Sequence, residues 1–392
     1  MTAFETGDGK GMERKVVVTG MGTLNSLADN VDGYWKALLN GKSGVKKHFI
    51  EELQREYCVG LIHRENTIDG ILNILWNTCE QAFIDANIVQ KEQEKIFVLC
   101  GTSLGGLSVM EELFFHNGDF TEEIYASSQL NFFTEKLIEK MGGKNQRLTV
   151  SSTCSSGLNA VGMGYQFIKA GLTDKILVLG YDFVSDFILS GIRATRGLSM
   201  EAIKPFDVNR NGMVLGDGTG ALILEDYDCA RKRNANVYAE VAGYRSFSEA
   251  YHLMVPDLKG VMGANCLKYN NITSKNSFLM VSSNGTKHND QSIYESIASQ
   301  FDAEKPFVSG VKAQIGHTLG ASGIIEGIAT IKSLKEKILL PLFGVEECEF
   351  DLNYVKNPVQ HEFTQGVNLS TSFGGNVASV LYKEVEQDDI RV

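Results

Sequence analysis

Apolar positions in this chain come in short continuous runs, not in long helical stripes. Runs at 16–20, 96–100, 148–150, 175–180 and 218–225 read as buried strands, each closed by glycine or small polar residues. Helical stretches lie between them, one of them near 31–40. A second set follows at 237–243, 278–281, 366–369 and 378–382. Strands alternating with helices imply βαβ units. Two such sets imply two similar α/β halves, 14–230 and 231–392, joined near 226–236 with a site between them. Residues 1–13 are polar and glycine-rich and read as a disordered extension.

Composition narrows the function classes. The 392 residues are 43% apolar with 40 Gly and only 5 Pro, the balance of a globular α/β enzyme. No apolar run approaches the roughly 18 residues of a membrane helix, and the N-terminus lacks a signal-peptide core. The formal charge of −11 argues against nucleic acid and anionic membranes as partners. Seven cysteines without a CxxC pair read as reduced thiols in a cytoplasmic protein. His48, His63, His116 and His361 lack metal-ligand spacing, so no metal or cofactor is expected. The glycine-rich stretch 101–106 resembles a phosphate loop only superficially, because no lysine follows it.

Two segments carry candidate chemistry. Cys154 lies between a strand and a helix start made of Ser155, Ser156 and Gly157. A helix N-terminus favours a thiolate. His317 follows Gly316 and precedes another small-residue helix start at Gly320 to Gly323. A cysteine and a histidine on such turns suit acyl transfer.

At these residues the chain resembles the β-ketoacyl-acyl-carrier-protein synthases of the thiolase superfamily, closest to the class II fatty-acid type. The resemblance spans 14–386 and rests on 16–22, 34–44, Cys154 to Gly157, 205–220, 250–252, 310–326 and 373–376. It implies a thiolase-like five-layered αβαβα sandwich of two duplicated halves, normally a homodimer. It implies that Cys154 takes an acyl chain from an acyl carrier protein. Two histidines, the second matching His317, then assist decarboxylation of malonyl-carrier, and the carbanion attacks the thioester. The backbone N–H groups of Cys154 and Phe373 match the oxyanion hole, with Gly374 and Gly375 beside the substrate. Lys312 and Glu326 match a buried pair near His317. Met110 matches a residue deep in the acyl pocket, and His252 one near the site. Lys204 and Arg210 match basic residues that dock the carrier. The dimer is expected through the strand at 175–180.

The chain departs from this pattern in two places. Asn284 stands where the family has its first catalytic histidine, and the loop after it is shorter. An amide still donates N–H, so Asn284 reads as a non-ionising oxyanion donor. It cannot exchange protons near neutral pH, and such help is worth about 10²–10⁴-fold. His288 could swing in as a replacement. Alternatively, Asn284 marks an inactive homologue kept as a dimer partner. Retention of Cys154 favours a chain that is acylated. The second departure is charge: the segments 63–70 and 118–123, basic in the family, carry Glu65, Asp69, Asp119, Glu122 and Glu123. A partner subunit would then supply much of the carrier surface.

The sequence therefore points to an acyl-thioester enzyme of fatty-acid, polyene or polyketide synthesis, with Cys154 as nucleophile and His317 as base and N–H donor. Condensation is expected to be weakened. A non-elongating acyltransferase and a chain-length-factor-like subunit of a ketosynthase heterodimer remain the alternatives.

Overall fold

The structure, a computed structural model, describes residues 14–117, 121–250, 252–253, 256–257, 259–269, 272–301 and 304–385. The expected extension at 1–13 lies outside the described residues, as do 118–120 of the second docking segment and Tyr251.

Ten strands form the central framework. They are β1 (Val16–Asn25), β2 (Phe97–Gly101), β3 (Arg147–Val150), β4 (Lys175–Asp182) and β5 (Gly218–Asp226), then β6 (Ala239–Ser248), β7 (Ser277–Val281), β8 (Phe307–Ser309), β9 (Gln365–Thr371) and β10 (Asn376–Lys383). Their spatial order is β8-β7-β9-β10-β6-β1-β5-β4-β2-β3. Read outward from the centre, β1-β5-β4-β2-β3 and β6-β10-β9-β7-β8 are the same permutation. The pairing senses match too: antiparallel, antiparallel, parallel, parallel in each set. The chain is thus an internal duplication, and a short antiparallel ladder joins the sets, Val16 to Val18 against Ala239 to Val241.

The two five-stranded sets face each other across a central helical layer. Helix α1 (Ile68–Asp85) covers the outer face of the first set, against β1 and β5. Three shorter helices, α2 (Leu107–Asn117), α3 (Glu122–Ser127) and α4 (Phe132–Lys140), lie between β2 and β3 in sequence. Helix α5 (Ser156–Lys169) packs on β2 and β4 on one side and on β6 and β10 on the other. After α6 (Asp186–Ala194) and α7 (Lys287–Gln300), helix α8 (Ser322–Glu336) fills the rest of the middle layer. It is buried almost all round, which is what its Ile-rich sequence with small residues between requires. Helices α5 and α8 meet through glycine: a Cβ on Gly323 of α8 would lie 2.6 Å from Leu158 Cβ of α5. The layers run αβαβα, as the resemblance implied.

One expectation is corrected. The strand at 175–180 is not a dimer edge: β4 is hydrogen-bonded to β5 on one side and to β2 on the other. The free edge of this set is β3, which leads directly to Cys154. Among the described residues no helix is long and apolar enough to cross a membrane.

Candidate active site

Cys154 sits on a tight turn between β3 and α5. Thr153 adopts a left-handed φ of 54°, which aims the next residue away from the strand. The run of small hydroxyl residues holds that turn. Ser156 Oγ accepts from the Ser152 N–H at 2.9 Å, and Ser155 Oγ donates to the Ser152 carbonyl at 2.8 Å. Asn159 Nδ2 reaches Ser152 Oγ at 2.7 Å.

The opposite wall is the Gly-rich turn after β9. Phe373 opens a 3-10 turn, a position whose N–H has no intrahelical acceptor. Thr153 Oγ1 donates to the Phe373 carbonyl at 3.0 Å, and Ser155 Oγ lies 3.3 Å from Ser372 Oγ. Gly374, at φ 79°, donates its N–H to the Leu253 carbonyl at 2.7 Å. The Gly375 carbonyl accepts from the Glu249 N–H at 2.9 Å. The two halves of the duplication are therefore laced together beside Cys154.

His317 has a fixed protonation pattern. Its Nδ1 lies 3.3 Å from the Leu319 N–H and 3.0 Å from Ser322 Oγ. A backbone N–H can only donate, so Nδ1 accepts and the ring proton resides on Nε2. Burial, and then the nearby Lys312 ammonium, hold its pKa well below the ordinary histidine value. His317 is a neutral N–H donor. Nδ1, the nitrogen left to act as a base, is already engaged as an acceptor, which weighs against that expected role. Lys312 forms a buried ion pair with Glu326, one helix turn into α8.

Asn284 is oriented by the same logic. Its Oδ1 accepts from the Thr286 N–H at 3.0 Å and from Thr286 Oγ1 at 2.8 Å. The Thr286 N–H identifies the oxygen, which leaves Nδ2 as the remaining donor. Its own N–H is held by Asp290 Oδ1 at 3.1 Å, and Asp290 Oδ2 accepts from the Phe206 N–H at 2.8 Å.

Cys154, Asn284, His317 and Phe373 line one cavity of about 180 Å³, with Leu104, Ile188, Ile192 and Met213 on its apolar side. Burial pushes the Cys154 thiol up to about 12, against the opposing pull of Lys312. His288 does not line this cavity. Met110 does not line it either; it lies half-buried on α2, and Ile188 and Ile192 of α6 hold the apolar wall instead. A second cavity, of about 500 Å³, shares Met213, Thr286 and Phe373 with the first. It is lined by His252, Arg196, Lys287 and His288.

The carrier-docking expectations change. Arg210 is buried: it pairs with Glu349, donates to the Asp207 carbonyl at 2.9 Å and stacks on Phe350. It holds a loop and cannot reach a partner. Lys204 is partly exposed and lies 3.5 Å from Glu346. Arg64, in the first docking segment, is also consumed. It bonds Asp217 at 3.0 Å and the Val184 carbonyl at 2.7 Å.

Sequence reasoning missed Asp182. Its buried carboxylate accepts from Thr102 Oγ1 at 2.6 Å, from the N–H groups of Ser103 and Leu104 at 2.9 Å, and from the Gly320 N–H at 2.6 Å. It ties the loop after β2 to the turn that follows His317. Burial raises its pKa to about 6, with the hydrogen bonds opposing. The available signal was a lone carboxylate ending an apolar strand. Thr286, which orients Asn284, and the Leu319 N–H, which fixes the His317 tautomer, left no such signal.

Residues 59–230 match the family described as Beta-ketoacyl synthase, N-terminal domain, and residues 238–346 match Beta-ketoacyl synthase, C-terminal domain. The 3-oxoacyl-[acyl-carrier-protein] synthase 2 of Vibrio harveyi is 27% identical over 96% of this chain and 100% of its own length. A Schizosaccharomyces pombe relative, bearing the name of a mitochondrial 3-oxoacyl-[acyl-carrier-protein] synthase, is 29% identical over 95% of this chain and all of its own. Among solved structures, a ketosynthase complex with its type II PKS acyl-carrier protein gives a TM-score of 0.86 at 24% identity, covering 96% of this chain and 100% of the other. The ishigamide ketosynthase/chain length factor gives 0.86 at 24%, covering 95% and 100%.

Proposed function

This chain belongs to the β-ketoacyl synthase family, and we propose that it is an acyl-thioester enzyme that loads Cys154 from an acyl carrier protein and decarboxylates malonyl-carrier poorly. One observation carries this reading: the nucleophile and two neutral N–H donors line a single cavity. Cys154 Sγ attacks the carrier thioester carbonyl. The resulting oxyanion is held by the N–H groups of Cys154 and Phe373, donors typically worth a few kcal/mol each. Collapse breaks the carrier C–S bond, and the cysteine proton leaves with the carrier thiol. The cationic cavity beside the site, with Arg196 and Lys287, suits entry of an anionic carrier arm. It takes the docking role first assigned to Arg210.

Extension would need malonyl-carrier to lose carbon dioxide with its enolate oxygen held by His317 Nε2–H and Asn284 Nδ2–H. The amide retains a hydrogen bond but relays no proton. Transfer of the acyl group onward without elongation is the natural outcome. The seven cysteines are all free, which fits a reducing compartment such as the cytoplasm.

A second reading is a specificity subunit in a ketosynthase heterodimer. Asn284 and the likeness to ketosynthase/chain length factor structures favour it. The complete surround of Cys154 favours the first. Carbon dioxide release from malonyl-carrier separates elongating from transferring. Asn284→His is expected to raise it by about a hundredfold or more, within the range of acid–base help, with Cys154→Ala as the acylation control. Wild-type condensation at the rate of an ordinary ketosynthase would overturn the weakened-decarboxylation reading.

A further inference from the structure

Among the described residues, five hydroxyl side chains line the cavity that holds Cys154: Ser103, Thr153, Thr286, Thr371 and Ser372. Four of them have protein partners. Thr153 Oγ1 donates to the Phe373 carbonyl, and Thr286 Oγ1 donates to Asn284 Oδ1. Thr371 Oγ1 donates to Asn289 Oδ1, and Ser372 Oγ donates to the Asn376 carbonyl at 2.9 Å. Ser103 differs. Its Oγ is buried and has no hydrogen-bond partner among the described residues. Leaving a buried polar group unpaired costs about 1–3 kcal/mol, so native proteins pair nearly all of them.

The backbone that carries this hydroxyl is fixed. Ser103 lies on the loop after β2, where its N–H donates to Asp182 Oδ2 at 2.9 Å and the Leu104 N–H donates to Asp182 Oδ1 at 2.9 Å. Thr102 Oγ1 donates to the same carboxylate and accepts from the Gly105 N–H at 2.9 Å. Only rotation about χ1, among its staggered positions, is left to Ser103.

The surroundings limit the chemistry of the missing partner. No Asp, Glu, Lys or Arg lines this cavity among the described residues, and the neighbouring Leu104 belongs to its apolar side with Ile188, Ile192 and Met213. A charged group would lose its water there without gaining a counter-ion. A neutral oxygen suits the site. A serine hydroxyl donates to a ketone, and it either donates to or accepts from another hydroxyl. The thioester and malonyl oxygens already have the N–H donors of Cys154, Phe373, His317 and Asn284, so the hydroxyl is left for an oxygen elsewhere on the acyl chain.

We infer that Ser103 selects acyl chains bearing a neutral oxygen, a ketone or a hydroxyl, over saturated chains of the same length. This rests on the acyl-loading reading above and names the class of acyl group that Cys154 receives. An oxygenated chain pairs the hydroxyl, whereas a saturated chain seals it in unpaired. Sites built to hydrogen-bond a substrate reject the analogue that lacks the group.

The test is a competition on the full-length chain between hexanoyl-carrier and 3-oxo-, 4-oxo- or 5-oxohexanoyl-carrier, with the Cys154 adducts read by intact mass. The oxo-to-saturated ratio in wild type is divided by that in Ser103→Ala, which cancels the different reactivities of the thioesters. For at least one oxo position the quotient is expected to be about tenfold or more, the worth of one buried hydrogen bond. Ser103→Thr keeps the hydroxyl and is expected to keep the preference, and Ser103→Ala is expected to load hexanoyl no more slowly than wild type. Equal ratios in wild type and Ser103→Ala at every oxo position overturn the inference, as does a Ser103→Ala that slows all four chains alike. Should no carrier load Cys154, the acylation reading fails, and alkylation of Cys154 by iodoacetamides with a butyl or a 3-oxobutyl tail decides the inference alone. A preference for the oxo tail that Ser103→Ala abolishes supports it, and equal rates overturn it.

Discussion

A single ring proton defines what His317 can contribute. With Nδ1 accepting from the Leu319 N–H, the histidine offers Nε2–H to the cavity and stays neutral. Its folded pKa is depressed below the ordinary 6.5. The sign follows: the neutral buried ring contributes stability that is present above the unfolded value and is lost as pH falls below it. Two outcomes belong to this residue. The initial rate of Cys154 acylation should show no titration limb near pH 6.5, because the imidazole does not charge there. The urea midpoint should fall between pH 6.5 and 5 in wild type and fall less in His317→Gln. An acylation limb at pH 6.5 that disappears in His317→Gln would show that the ring does act as a base. The role of His317 could be read only halfway from sequence. Its place on a glycine turn was visible, but the donor that fixes its tautomer is a backbone N–H, which no residue type reveals.

At the scale of elements, the site depends on two turns held by the buried helix α8. Lys312, on the turn before His317, is paired with Glu326 of α8, and both side chains are about 1% exposed. Removing one partner leaves an uncompensated charge in a dry layer. Lys312→Met should therefore cost about 3–5 kcal/mol in urea unfolding. Lys312→Met with Glu326→Leu should recover most of it while acylation persists. A double variant no more stable than the single would show that the ion pair is not the source of the loss. The strands were legible because buried runs of Val, Ile and Leu are continuous, as in β4 and β5. Their neighbours were not. An apolar run such as 175–180 suggests a contact surface for a dimer, yet apolar residues on both faces mark an interior strand. The true edge, β3, has exposed Arg147 and Leu148. Arg210 misled for a related reason, since a cation beside an exposed loop can as easily stack on Phe350 as face solvent.

Across the whole molecule, the duplication places a Cys turn from one half against a His turn and an Asn turn from the other, with Asp182 and Thr153 bonding across the seam. The cavity so formed is about 180 Å³. A cavity of about 150 Å³ accepts a benzene-sized group, so acyl groups up to roughly that size should load faster than long saturated chains. The measurement that reaches the central claim most directly is intact mass after incubation with acyl-carriers of graded length, followed by malonyl-carrier. Wild type is expected to gain one acyl group on Cys154, most rapidly for short chains, and to keep that mass unextended. Cys154→Ala is expected to gain none. Absence of any adduct on Cys154, or an adduct equally abundant in Cys154→Ala, would contradict the account.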